Sequence, residues 1–434
     1  MKPKSPGRND VDHLPLTKQL LADGEIDEME VACNRRLETH PDDVTALNHA
    51  ALGALRRKDT QRACALLEHA ARLAPKNAVT HYHLGRAREA LGDPAGALAA
   101  DEVAARLVPE NPLFRLHLAL SLEQQGERQR SLLHFARAIK EAQLQGQWND
   151  AASTPPALRP QVEQAVLTVR RGQRALFDQF LEPLVNCYGR SALERVINAT
   201  RIYIGEQQPV YVDSRQRPTF FFIPGLPRSA YFDRRLFPWI PDYEGQYQEI
   251  RRELEALLPS HRGKERVFND ATLESENLRG QGPDPSWTGY YFYRHGERRQ
   301  DNCSACPVTA AALDGIELIR IRAHGPEVLH SVFTPGTHLL PHRGVTNARA
   351  VSHLPMMIPD DCALRVGGEE RAWREGQTLV FDDTYEHEAW NRSVELRVVL
   401  IADVWNPYLS DVERAAVTDV IAAIGDLRTA VDCL

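Results

Sequence analysis

Helical patterns of apolar residues fill the first third of the chain, and each pattern ends just before a proline. Pro41, Pro75 and Pro109 stand in the contexts HPDD, APKN and VPEN, 34 residues apart in each step. Proline lacks an N–H and fixes φ, so it ends one helix and prepares the next. Small residues keep the same register. Ala51, Gly85 and Ala119 share one place, Ala63, Ala97 and Ser131 a second, and Ala70, Ala104 and Ala138 a third. Two antiparallel helices in close contact need small residues at fixed places, so the spacing predicts three helix pairs. Residues 13–40 form a degenerate earlier unit, with Gly24 at the place Gly92 holds later. After Ala138 no proline arrives on schedule. QWNDAASTPPALRP reads as a linker, and a helix near Gln161–Phe180 caps the array. From about Glu317 the pattern changes to short alternating or wholly apolar runs broken by Gly, Pro and Asp. LIRIRAH, LHSVFTPG, ARAVSHLPMMI, CALRVGG, QTLVFDD and LRVVLIADVW are expected strands, spaced as in a sandwich or jelly roll.

The 34-residue unit and its small-residue register resemble tetratricopeptide repeats. That resemblance implies an α-solenoid whose concave face takes a peptide or protein. The plainer alternative is an array that only scaffolds the rest of the chain.

A length of 434 residues exceeds one usual core, so several domains are expected. The polar MKPKSPGRND lacks the apolar block of a secretory signal and reads as a disordered lead over residues 1–12. No stretch has the apolar length of a membrane span. Formal charge is −7, from 59 acidic against 52 basic residues, with no basic block. This argues against nucleic acid as a partner. Seven scattered cysteines fit reduced thiols and a cytoplasmic location. Cys303 and Cys306 form a lone CxxC, without the second pair a structural zinc site needs, and read as an ordinary loop pair.

Candidate chemistry gathers late in the chain. His338, His342, His353 and His387 sit at expected strand edges beside turn residues. A lone histidine is more often structural than a ligand, so context must decide. FIPGLP, FTPGTHLLPHRG, TNAR, FDDTYEHEAWN and IADVWNP, between about Phe220 and Pro407, resemble the aspartyl/asparaginyl β-hydroxylase family. The resemblance implies a double-stranded β-helix, Fe(II), 2-oxoglutarate as cosubstrate, dioxygen, and hydroxylation at a β-carbon. It puts the metal on His342 in PHRG and His387 in YEHE, which are thereby the catalytic residues. It puts one cosubstrate carboxylate on Arg397 with Ser331, and the carboxylate close to the metal on His353.

Neutral imidazole suits Fe(II), and two such ligands leave coordination places open. Where most relatives in the wider oxygenase class carry a carboxylate two residues after the first histidine, this chain has Gly344. Asp382, Asp383 and Glu386 are the nearby carboxylates, with a turn as the simpler reading of FDD. Arg397 lies in ELRVVLIADVW, where apolar neighbours make an unpaired charge costly and a planar guanidinium suits a carboxylate. Arg349 is expected to bind substrate. Val351 replaces a second arginine of the family, which weakens the case for an acidic substrate. His338 is expected to be structural.

The expected architecture is thus a multidomain α plus β chain: tetratricopeptide repeats over 13–145, linker and capping helix over 146–190, a jelly-roll oxygenase domain over 191–410 and a C-terminal helix over 411–434. The expected activity is hydroxylation of an aspartyl or asparaginyl residue in a peptide or protein recruited partly by the repeats. Alternatives are a lipid acyl chain or a free or carrier-bound amino acid as substrate, and a repeat-containing binding protein without catalysis.

Overall fold

A computed structural model describes residues 25–434 apart from 261, 262, 269 and 281–283. The expected lead and Gly24 lie outside the described residues. Two compact units divide the described residues, one of residues 25–169 with 429–434 and one within residues 170–428.

In the first unit, the helices Val44–Arg56, Ala78–Leu91 and Pro112–Gln124 begin 34 residues apart. Their partners Thr60–Leu73, Pro94–Leu107 and Arg128–Leu144 repeat the interval. Asp43, Asn77 and Asn111 cap the first helix of each pair by accepting backbone N–H groups, a contact worth about 1 kcal/mol apiece. The small residues are small because partner helices touch there. Ala51, Ala63, Ala70, Ala119 and Ala138 are wholly buried, and a Cβ on Gly85 would run into the Asp101 carboxylate. The helix after the linker is longer than the sequence suggested, spanning Arg159–Tyr188 with Pro183 inside it.

The second unit carries the strands. Twelve are described: β1 (Lys264–Arg266), β2 (Leu278–Gly280), β3 (Trp287–Arg294), β4 (Glu297–Arg298), β5 (Val328–Phe333), β6 (Thr337–His342), β7 (Arg349–Met357), β8 (Cys362–Val366), β9 (Glu369–Ala372), β10 (Leu379–Phe381), β11 (His387–Asn391) and β12 (Arg397–Trp405). They form two antiparallel sheets, ordered β1-β3-β5-β12-β7-β10, with β4 beside β3, and β2-β6-β11-β8-β9.

Side chains from both sheets share one core: Phe333, Val351 and Val399 of the larger sheet meet Leu339, Leu364 and Val366 of the smaller. The larger sheet's other face, with Phe292, Leu354 and Leu400, packs on Ile250, Leu254 and Leu313 from helices Tyr247–Leu257 and Pro307–Asp314. Burial on both faces explains why LRVVLIADVW reads as a continuous apolar run rather than an alternation.

The expected strand LIRIRAH does not form. Leu318 and Ile321 make only isolated bridges, to Val404 and Gly325. Cys303 lies in the helix Gln300–Ala305 rather than a loop, and Cys306 directly follows it. Both thiols are buried, and burial pushes the pKa of Cys306 up to about 11. They are packing residues.

Candidate functional site

His342 ends β6 and His387 begins β11, and the two are register partners across adjacent antiparallel strands. Their ring centroids lie 4.1 Å apart. Each Nδ1 rests on the backbone carbonyl two residues earlier, Leu340 O at 2.8 Å and Tyr385 O at 3.1 Å. A carbonyl only accepts, so Nδ1 carries the ring proton and Nε2 keeps its lone pair for a metal. Burial lowers both pKa values, that of His387 to about 4 with the His342 ring adding to the effect. Both rings are therefore neutral at pH 7, the form that ligates.

Among the described residues no group of three His, Cys, Asp or Glu side chains is placed to hold a metal. The local carboxylates explain why. Asp382 accepts from Gln216 Nε2 at 2.6 Å and from Thr384 N at 2.9 Å, which is the strand-ending turn read from FDD. Glu386 pairs with Arg343 at 3.1 Å. Asp383 is the informative one. A side chain at Gly344 would collide with its carboxylate, so Asp383 fills from another segment the space where a carboxylate at 344 would project. Its Oδ2 takes Arg349 at 2.6 Å, while its buried Oδ1 has no partner.

A cavity of about 320 Å³ opens beside the histidines and is lined further by Arg397, Ser331, Trp287 and His353, a size suited to a small molecule. Arg397 is 1% exposed. Its Cζ lies 3.8 Å from the Phe333 ring centroid and 4.6 Å from that of Trp373. Nη1 donates to Ser331 O at 3.3 Å and Oγ at 3.2 Å, and Nε has no partner. No carboxylate among the described residues pairs with this guanidinium, and burial pulls its pKa down to about 9. A buried charge without a counter-ion is costly, so the arrangement fits an anion arriving from outside.

Ser331 Oγ also accepts from Trp287 Nε1 at 2.9 Å. His353 Nδ1 accepts from Trp373 Nε1 at 3.2 Å, which leaves Nε2–H as the donor of a ring that burial keeps neutral.

Arg349 is placed otherwise than expected of a free substrate cation. Its Nη1 donates to Asp403 at 2.8 Å and its Nη2 to Asp383 at 2.6 Å, leaving only Nε without a partner. Two carboxylates already hold it. His338 Nε2 meets Glu388 at 2.8 Å, and neither side chain lines the cavity.

Residues 244–407 match the family model described as aspartyl/asparaginyl beta-hydroxylase, which spans the histidine pair, Arg397 and the cavity lining above. Aspartate beta-hydroxylase domain-containing protein 2 of Mus musculus is 30% identical over 249 residues, 56% of this chain and 69% of that protein. The chain belongs to the aspartyl/asparaginyl β-hydroxylase family. Within that family, the ornithine lipid ester-linked acyl 2-hydroxylase of Rhizobium tropici is 35% identical over 41% of this chain and 61% of its own. The aspartyl/asparaginyl beta-hydroxylase of Mus musculus is 33% identical over 41% of this chain, which spans only 24% of that longer relative. Among solved structures, the Sgt2 TPR domain from Aspergillus fumigatus matches over 30% of this chain and 82% of its own, at 19% identity and a TM-score of 0.26.

Two contributors to this β-hydroxylase-family site were not legible in the sequence. Trp373 lies with Phe333 against the Arg397 guanidinium and Trp287 donates to the Ser331 hydroxyl, yet the two tryptophans come from separate segments outside the quoted motifs. The aromatic run WTGYYFYR was the one available signal, since aromatic residues favour strands.

Proposed function

We propose that this chain is an Fe(II)- and 2-oxoglutarate-dependent hydroxylase whose two sheets form a double-stranded β-helix. The observation that carries the reading is Arg397, a fully buried guanidinium with no carboxylate partner among the described residues, lining the same cavity as two facing neutral imidazoles. A dicarboxylate cosubstrate with a metal at its other end satisfies both.

Each residue has a separate task. His342 and His387 hold the metal through Nε2, their tautomers fixed by Leu340 O and Tyr385 O. Arg397 takes one carboxylate of 2-oxoglutarate, its plane held between Phe333 and Trp373 and aided by the Ser331 hydroxyl. His353 donates from Nε2 to the carboxylate nearer the metal, and Trp373 sets its tautomer. Arg349 acts as a positioning residue, holding Asp383 where it fills the space beside Gly344. Fe(II) with 2-oxoglutarate and dioxygen supplies the oxidant that converts a substrate C–H bond to C–OH, with succinate and carbon dioxide as coproducts.

The repeat array is the proposed recruiting surface for a peptide or protein. The Rhizobium tropici relative, named for an acyl chain, supports a lipid substrate as a second reading. A binding protein without catalysis is disfavoured because the histidine pair and the anion seat stand together. Conversion of 2-oxoglutarate to succinate by the full chain, dependent on added Fe(II) and abolished in His387→Ala, is the expected result. Turnover that survives His387→Ala would defeat the proposal.

A further inference from the structure

The tasks above use one end of the cavity and leave the other unassigned. Side chains of β12 point inward at every second position: Arg397, Val399, Ile401 and Asp403. Ile401 lies opposite both Leu329 and His353, and Asp403 lies opposite Val351. At about 3.4 Å per residue, Asp403 stands roughly 20 Å along the strand from Arg397, well beyond the reach of a five-carbon dicarboxylate seated on that arginine. This second end therefore faces the substrate.

Its lining is of two kinds. Val351, Leu329, Ile401 and Tyr291 supply an uncharged wall in the cavity that the histidine pair also lines. Of the charged side chains, Arg349 and Arg294 are cationic, while Asp383, Asp403 and Glu327 are anionic. Neither cation is uncommitted. Arg349 is held by Asp383 and Asp403, and Arg294 pairs with Glu265 and lies 4.5 Å from the Tyr291 ring centroid. The Glu327 carboxylate engages His295, through its backbone N at 2.6 Å and Nδ1 at 2.8 Å. An aspartyl carboxylate entering here would meet an acidic surplus, and the cations it meets, Arg349 and Arg294, already hold carboxylates. An aliphatic segment would find contacts, and a cation would find the unpartnered Oδ1 of Asp383.

Resting on the hydroxylase reading, we infer that the substrate presents an uncharged aliphatic segment to the histidine pair, and that any charge it brings to this end is positive. Val351 is the residue that sets this preference, since it puts a short apolar side chain in the cavity lining, opposite Asp403, where a longer cationic one would offer an entering carboxylate a partner. Of the expected aspartyl and asparaginyl side chains, this end disfavours the aspartyl one.

The test uses the full chain loaded with Mn(II) and N-oxalylglycine, redox-inert stand-ins for Fe(II) and 2-oxoglutarate. Calorimetry then follows five probes: end-capped tripeptides with Asp, Asn, Leu or Lys at the centre, and a medium-chain acyl amide. The leucyl, lysyl or acyl probe should bind at least about tenfold more tightly than the aspartyl one, and Val351→Arg should raise aspartyl affinity by a similar factor. Equal or tighter aspartyl binding by the wild-type chain overturns the inference, as does binding by none of the five, and neither result depends on the variant folding. Failure of N-oxalylglycine to bind, read before any probe is added, would instead remove the proposed function and this inference with it.

Discussion

Replacing Arg397 by Met separates the binding of an anion from the stability of the fold, because the two should move in opposite directions. In the chain alone, the guanidinium is 1% exposed, its Nε has no partner, and its hydrogen bonds go to Ser331. Removing a buried charge in favour of an apolar side chain of similar length is often neutral or stabilising by about 1–4 kcal/mol. The introduced thioether would keep contact with Phe333 and Trp373, so the unliganded melting temperature should hold or rise. Cosubstrate binding should collapse. Loss of a buried charge-assisted pair costs about 2–5 kcal/mol, or roughly 30-fold to several thousand-fold in Kd. For the wild type, 2-oxoglutarate at about a hundred times its Kd contributes about 2.7 kcal/mol, a rise of roughly 5–10 °C for a unit of this size. Thermal melts of both proteins with Mn(II), with and without 2-oxoglutarate, read both quantities. A variant that melts lower without ligand, or that keeps the ligand-induced rise, would overturn this role for Arg397.

His342→Ala and His387→Ala should each abolish Fe(II)-dependent succinate formation with far-ultraviolet circular dichroism unchanged, and His338→Gln, whose ring meets Glu388, should leave it intact. Asp403→Asn strips one of two carboxylates from partly buried Arg349 and should cost up to about 3 kcal/mol in denaturant unfolding; a loss below about 1 kcal/mol would show that the pair is not needed. In the repeats, burial lowers the pKa of His83 to about 4 and that of His117 well below its usual value. Both rings are neutral in the folded state, so stability is complete above about pH 6.5 and falls as the unfolded chain takes up protons below it, by about 1.4 kcal/mol per pH unit for each ring. Melts of the repeat unit should drop steeply from about pH 7 to about pH 5, and an unchanged midpoint would contradict this. Removing residues 1–150 should leave 2-oxoglutarate affinity unchanged and weaken turnover of a protein substrate; equal efficiency would make the repeats a scaffold only.

The repeats were legible because their information is local. A 34-residue interval, a cap and a small residue at each helix crossing all lie within one unit, and the observed helices start where that spacing put them. Strand runs such as LRVVLIADVW were legible by composition, whereas LIRIRAH misled because alternating Ile and Arg also suit an extended segment that pairs with little. The site was legible only in part. His342 and His387 lie 45 positions apart, and resemblance rather than spacing joined them. The commitment of Arg349 to Asp383 and Asp403 was hidden, since it depends on strand register across 34 and 54 residues. Gly344 matches a site of two histidines by resemblance, and only the packed structure shows Asp383 filling the space beside it.

If a metal on His342 and His387 and a dicarboxylate on Arg397 share one cavity, the two must form a single chelate. Anaerobic titration of the full chain with Fe(II), then 2-oxoglutarate, reads that chelate through its visible metal-to-ligand charge-transfer band. The band should saturate at one 2-oxoglutarate per chain, need both additions, disappear in His387→Ala, and require far higher 2-oxoglutarate in Arg397→Met. Tight 2-oxoglutarate binding without a band, or a band unchanged in His387→Ala, would contradict the shared site.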